Sequence, residues 1–348
     1  MEGEFSISDS KRGMMKMGEK SRLEDQALLK TDCLTFHEFI CIDGGLWACS
    51  NRFGAYFRIN PVSGNTSFEG WGKYCEKIGY SILVVGVYNN NLIIISRFGD
   101  YVELFNLADR RTKKCRLIFS ESLRQDEYHF LVDGRYLILV SVKNRETFVF
   151  DIEEIISRDE TSPLKKLIHK FDIITKPVII DKSLIYLQED KAVMEIVDLE
   201  NWSRRYYCIK DRNVGIVDLL IAKEKVFLLY RDGDVVVHKK STGEVLEYYK
   251  NREQGCAYKK IYMVMGQLWI FPSTNGNIFI IDLKKKSADI YKNYPTDFRY
   301  LFSELHPKYA AFVEDDRFIY VGQRSANYML IIDKLLGTER WISVKLPK

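Results

Sequence analysis

From residue 36 onward, short apolar runs alternate with polar punctuation, and the runs come in sets of four. A set opens with a segment such as FHEFICI, YSILVVG, YHFLVD, KPVII, GIVDLLIA, YKKIYMVMG or YAAFVE. A second run, a polar turn, a third run closing on Asp, Asn or Lys, another turn and a fourth run follow, as in QLWIFPSTNGNIFIIDLKKKSADIYK. Runs of about four to eight residues, rich in β-branched and aromatic side chains and bounded by turn residues, predict strands rather than helices.

The unit occurs seven times. The polar residue that closes the third run falls at Asn60, Asn106, Asp151, Asp198, Lys239, Asp282 and Asp333, at intervals of 46, 45, 47, 41, 43 and 51 residues. That spacing matches the roughly 40–50 residues of a β-propeller blade. The pattern therefore predicts an all-β chain, a single seven-bladed β-propeller of four-stranded antiparallel blades over residues 36–348, in which each blade covers its neighbour's face. NIFIIDL and NYMLIID are almost continuously apolar, as middle strands covered on both faces must be. SRRYYCIK and EVLEYYK alternate like outer strands, so the order from the axis outward is a, b, c, d. Residues 1–35 lie outside the repeat as an N-terminal extension, for which disorder and a short helix both stay open.

The segments DGGLWACSNRFGAYFRINPVSGNTSF and MGQLWIFPSTNGNIFIIDLKKKSADIY resemble bacterial propeller repeats of the kelch-like and two-component-regulator-propeller kinds. In those, Gly and Leu-Trp open strand b and a turn Gly follows strand c. The resemblance spans residues 36–346 and implies the propeller fold; it carries over no functional residue.

Of the 348 residues 46% are hydrophobic and 29% charged, a globular composition. Fifty-two basic and 48 acidic residues leave a net charge of +4, too little for a field that gathers nucleic acid or an anionic membrane. Seven scattered cysteines (Cys33, Cys41, Cys49, Cys75, Cys115, Cys208 and Cys256) form no C-x-x-C pair, which points to packing thiols and a cytoplasmic location. The N-terminus has no apolar core of a secretory signal, and no run reaches the length of a membrane helix. A monomer is expected.

In a propeller the b–c turns and d–a connections share one face, where ligands are usually held. Here the b–c turns carry Arg52, Arg97, Arg145, Arg231 and Arg324, with Lys191 in a sixth blade. Guanidinium forks receive carboxylate and phosphate in bidentate fashion, so a partial ring of them suits an acidic protein or another anionic ligand. Solvated turn charges paired with Asp100, Glu146 and Asp232 are the plainer alternative. The connection between blades 6 and 7, YKNYPTDFRYLFSELHPKY, adds Tyr294, Arg299, Tyr300 and His306 as an anchor surface, or else as a plug packing on itself.

Catalysis has little support. His37, His129, His169, His238 and His306 occur singly, with no metal-ligand spacing, nucleophile elbow or phosphate loop. No metal or cofactor is expected. The acids Glu314–Asp316 fall at an a–b turn on the opposite face, and Cys256 lies in a d–a connection. The reading is a non-enzymatic binding or scaffold propeller; the alternative is a propeller enzyme, a lyase or hydrolase on a sugar or peptide, with residues from several blades.

Overall fold

The computed structural model describes residues 36–50, 55–71, 82–96, 101–118, 128–142, 144–173, 176–188, 193–208, 214–251, 253, 256–273, 276–296, 309–323 and 328–344. The N-terminal extension, residues 1–35, lies outside them. Blade 1 comprises β1 (Phe36–Ile42), β2 (Gly45–Ser50), β3 (Ala55–Ile59) and β4 (Thr66–Trp71); blade 2, β5 (Ile82–Tyr88), β6 (Asn91–Ser96), β7 (Tyr101–Asn106) and β8 (Thr112–Leu117). Blade 3 has β9 (Tyr128–Asp133), β10 (Tyr136–Ser141), β11 (Glu146–Asp151) and, after helix α1 (Ile152–Ser157) and β12 (Glu160–Thr161), β13 (Lys165–Ile168). Blade 4 has β14 (Val178–Ile180), β15 (Ser183–Leu187), β16 (Val193–Asp198) and β17 (Arg204–Cys208); blade 5, β18 (Ile216–Ala222), β19 (Lys225–Tyr230), β20 (Val235–Lys239) and β21 (Val245–Tyr249). Blade 6 has β22 (Tyr258–Val264), β23 (Gln267–Pro272), β24 (Phe279–Asp282) and β25 (Ser287–Ile290); blade 7, β26 (Tyr309–Glu314), β27 (Phe318–Gln323), β28 (Tyr328–Asp333) and β29 (Glu339–Ser343). The chain is a seven-bladed β-propeller whose blades are antiparallel meanders.

Seven apolar clusters fill the molecule, and each joins two neighbouring blades. Successive residues of a strand point to opposite faces. On β6, Leu92 and Ile94 therefore pack with Trp47 and Tyr56 of blade 1, while Ile93 and Ile95 pack with Phe130 and Leu137 of blade 3. Both faces are buried, which is why the run carries no polar alternation. Each such side chain contributes on the order of 1.5–3 kcal/mol by leaving water.

The residues that mark the repeat do a local job. They close strand c and accept the N–H groups of the c–d turn: Asn60 Oδ1 from Val62 (2.8 Å) and Ser63 (3.1 Å), Asp198 Oδ1 from Glu200 (2.8 Å) and Asn201 (3.1 Å). Asn106, Asp282 and Asp333 repeat the pattern. Lys239 has no acceptor to offer, and its turn keeps only the backbone bond that the Asn60, Asn106, Asp198 and Asp333 turns also make, Gly243 N–H donating to the Lys239 carbonyl at 2.8 Å with Gly243 at φ +74°.

At Asp151 the same residue caps a helix instead. Its Oδ1 accepts from Glu153 N–H (3.0 Å), and α1 drives Ile152 and Ile155 into the seam between blades 2 and 3. The chain then lays β12 parallel to β8, with Arg116 N–H donating to the Asp159 carbonyl (2.7 Å), so blade 2 gains a short fifth strand.

The ring closes chiefly by face packing. Phe39, Ala48 and Phe57 of blade 1 meet Ala311, Tyr320, Met329 and Ile331 of blade 7, and among the described residues no strand is exchanged between the two sheets. The approach is tight enough to require glycine: a Cβ at Gly322 would lie 2.2 Å from the Phe39 ring. Arg340 Nη2 donates to the Pro61 carbonyl (3.3 Å) across the same seam.

Two outcomes follow. Gly322→Ala is expected to cost about 1–3 kcal/mol by overpacking the closing seam. Less is lost when Phe39→Leu accompanies it, measured by urea unfolding, and strict additivity would contradict the contact. The turn carboxylates give the second. Asp198 and Asp282 are held below the ordinary carboxylate range by the turn N–H groups of Asn201 and Glu200, and of Lys285 and Lys284. Their stabilisation is complete above about pH 4 and is lost as pH falls through the lowered folded values. Asp198→Asn with Asp282→Asn, keeping the acceptor as Asn60 and Asn106 do, is expected to flatten the fall of the urea midpoint on acidification; an unchanged slope refutes the assignment.

Candidate functional site

Because strands alternate in direction, the b–c turns and d–a connections emerge together on one face, and the a–b and c–d turns on the other. Of the residues singled out on the first face, Arg52, Arg97, Lys191, Arg299, Tyr300, His306 and Arg324 lie outside the described residues; Arg145, Arg231 and Tyr294 lie within them.

Arg145 sits in the b–c turn of blade 3 at φ +54°, its carbonyl accepting from His169 N–H (2.8 Å). Its Nε–H donates to Asp172 Oδ1 at 2.6 Å, and the two side chains are 50% and 58% exposed. The partner is thus an acid from the following d–a connection, while Glu146 pairs with Lys166 (2.7 Å).

Arg231 opens the b–c turn of blade 5 with an exposed side chain, its N–H donating to the Gly215 carbonyl (3.0 Å) and its carbonyl accepting from Tyr258 N–H (2.9 Å). The turn beneath is closely bonded. Asp234 Oδ1 accepts Asn251 N–H (2.7 Å), Asn251 Nδ2 donates to the Asp232 carbonyl (2.9 Å), and Glu253 accepts from Tyr258 Oη (2.9 Å) and Asn277 Nδ2 (2.7 Å). Gly233 at φ +87° lets the turn lie on the Tyr258 ring, where a Cβ would be 2.6 Å away. Asn251 and Glu253 also border an open depression of about 590 Å³ on the outer part of blade 6, together with Ile290, Lys292 and Asn293.

Tyr294 packs inward. Its ring meets Tyr291 edge-on at 5.1 Å and Trp341 at 5.7 Å, its Oη lies 3.5 Å from Tyr309 Oη, and burial pushes its phenol upward. This part of the long connection serves the seam between blades 6 and 7. On the opposite face, Asp315 accepts from the N–H groups of Arg317 (2.8 Å) and Phe318 (2.6 Å) and from Tyr320 Oη (2.9 Å), the work of a polar turn.

One constellation is invisible to a search for local motifs. Between blades 3 and 4, Tyr186 Oη donates to Thr147 Oγ1 (2.9 Å), Thr147 Oγ1 lies 2.9 Å from His169 Nε2, and His169 Nδ1 lies 2.7 Å from Glu195 Oε2. Since the carboxylate can only accept, Nδ1 carries a hydrogen and Nε2 of the neutral ring accepts from Thr147. Tyr206 Oη donates to Glu195 Oε1 (2.9 Å), and Arg204 lies 3.4 Å from that oxygen.

A hydroxyl, an imidazole and a carboxylate in this order is the arrangement of an activated nucleophile. Thr147 and the side chains of His169 and Glu195 are nevertheless 0% exposed, so no substrate reaches them in this conformation. Their chemistry is spent on joining blades. His169 stands 22 positions from Thr147 and 26 from Glu195, which no spacing rule detects. The legible signal was a lone Glu inside the apolar strand VMEIVD. The same signal, Asp in IVDLLIA, marks Asp218, 2% exposed between blades 5 and 6, which accepts Ile261 N–H (2.9 Å) and Lys260 Nζ (3.1 Å). Burial raises its carboxyl, against the pull of those two partners.

No protein-family model and no curated protein matches the sequence. Solved structures do match. The computationally designed Ika8 protein is 10% identical with a TM-score of 0.57, covering 90% of this chain and 88% of its own. Streptogramin B lyase is 8% identical with a TM-score of 0.59, covering 84% and 91%. The extracellular domain of BT4673 from B. thetaiotaomicron is 12% identical with a TM-score of 0.62, covering 88% of this chain and 41% of that one. Likeness at these identities is a likeness of propeller fold.

Glu195→Ala strands the His169 Nδ1–H and the Tyr206 hydroxyl and is expected to cost about 3–5 kcal/mol in urea unfolding, with Glu195→Gln costing less. A loss below about 1 kcal/mol would show the cluster to be energetically idle.

Proposed function

We propose that this propeller is a non-enzymatic binding protein that holds a protein partner or another anionic ligand on the face of its b–c turns and d–a connections. The observation that carries the reading is the state of Arg145. Of the five donors on its guanidinium, the Nε–H engages Asp172, and the terminal nitrogens have no hydrogen-bond partner among the described residues. Asp172 models how a carboxylate is received at that turn, and a ligand carboxylate or phosphate has room to add a second, charge-assisted bond. Arg231 lies exposed on the corresponding turn two blades on; Arg52, Arg97 and Arg324 occupy the matching positions in the sequence repeat.

A cytoplasmic location fits Cys41, Cys49, Cys115 and Cys256, which form no disulfide among the described residues. The enzyme alternative draws on the likeness to streptogramin B lyase, which extends to fold at 8% identity. The one nucleophile-like arrangement among the described residues is sealed inside a seam.

The test uses a fluorescein-labelled hexaglutamate peptide and the intact chain, followed by fluorescence anisotropy. Saturable binding that weakens with added salt is expected. Replacing Arg52, Arg97, Arg145, Arg231 and Arg324 together with Glu should weaken it at least about tenfold, roughly 1.4 kcal/mol. Binding that the substitutions leave unchanged would sink the reading.

A further inference from the structure

The seven seams are not equally shut. In strand c, Thr147 and Val149 face the seam between blades 3 and 4 at 0% exposure, and Val235 and Val237 face that between blades 5 and 6 at 0%. Met194 and Ile196 face the seam between blades 4 and 5 and are only partly buried. The opening continues outward over apolar surface. Cross-strand register places Tyr207 beside Met194 and Arg205 beside Ile196, hence on the same side; it places Tyr248 beside Val236 and Val245 beside His238 on the facing blade. Tyr207 and Tyr248 are each 46% exposed and Val245 is 57% exposed.

A buried polar atom points the same way. His238, 7% exposed, donates Nδ1–H to the Gly243 carbonyl (3.0 Å), which leaves Nε2 of the neutral ring an acceptor. Nε2 is buried and has no hydrogen-bond partner among the described residues. An orphaned buried acceptor leaves this seam less well satisfied than the one between blades 3 and 4.

The chain itself shows how such a rim is covered. Over the seam between blades 2 and 3 it lays α1, DIEEII, whose Ile152 and Ile155 are 0% exposed while Glu153 and Glu154 stand at the helix surface. No described element covers the seam between blades 4 and 5 in this way. There the exposed cation is Arg205, on the same side as the open apolar positions.

We propose that the outer groove between blades 4 and 5 docks an acidic–apolar peptide segment of a partner protein. Its aliphatic side chains enter between Tyr207 and Tyr248, and its carboxylates meet Arg205. The groove adjoins the arginine-bearing face, since Tyr248 Oη donates to Asp234 in the turn of Arg231, and its own determinants are the apolar side chains and Arg205.

The probe is the fluorescein-labelled peptide DIEEIISR, the chain's own residues 151–158, titrated into the intact protein. Saturable binding is expected, with Tyr207→Ser plus Val245→Ser, and separately Arg205→Glu, each weakening it at least about fivefold, roughly 1 kcal/mol. All three positions are exposed, so the thermal midpoint should stay within a few degrees. A peptide with its isoleucines replaced by serine should lose the part of the binding that the groove substitutions weaken, keeping at most what the arginine-bearing face holds. Absence of saturation at about 1 mM peptide, corresponding to less than about 4 kcal/mol, overturns the proposal. So does binding indifferent to the groove substitutions, or a concentration-dependent dimer that Tyr207→Ser abolishes, which would assign the groove to a second copy.

Discussion

A four-stranded sheet with oily residues on both faces cannot stand alone in water, and every other feature of this molecule answers to that constraint. Each blade is covered on both sides only if the seventh meets the first. The seven apolar clusters are the seven meetings, and the same residues that make strand b read as an unbroken hydrophobic run are divided, alternately, between two of them. The ring is thus a circular chain of interfaces, any one of which exposes two sheet faces if it fails.

Polar groups inside such interfaces are tolerated on strict terms. Thr147, His169 and Glu195 satisfy one another and recruit two tyrosines and an arginine, so the seam between blades 3 and 4 carries a hydrogen-bonded seal. Asp218 and Lys260 do the same between blades 5 and 6. A half-satisfied network of this kind is worse than an apolar one, and the exceptions among the described residues are few: His238 Nε2, Trp269 Nε1 and the Gln323 amide are buried without a hydrogen-bond partner.

The fold was legible because its cause is periodic. Residues such as Asn60, Asp198 and Asp333 recur for a local reason, capturing the N–H groups of a turn, and that reason leaves the same letter at the same place in each unit. Lys239 breaks the letter but not the turn, because the backbone bond from Gly243 N–H to its carbonyl is one that the Asn60, Asn106, Asp198 and Asp333 turns also make. The helix after Asp151 was less visible: the capping residue of a helix and the turn residue of a hairpin are one and the same Asp, and only the following isoleucines distinguish them. The site was harder still. Contacts such as Arg145 with Asp172 or Thr147 with His169 depend on how the turn of one strand pair lies against the connection beyond it, and no repeat period encodes that. Tyr294 illustrates the limit, since an aromatic in a loop reads alike whether it faces a partner or fills a gap beside Trp341.

The four strands of every blade follow one another along the chain, β12 being lent from blade 3 to the edge of blade 2, and among the described residues blades 1 and 7 hold together without lending each other a strand. Energetically the circle has no designated beginning. The join between its ends is one more lateral contact, kept by a phenyl ring lying on a glycine rather than by threaded backbone. A polypeptide built in this way is tolerant of being re-opened elsewhere along its circumference, and whole sectors can be inserted or lost during descent without re-weaving the remainder.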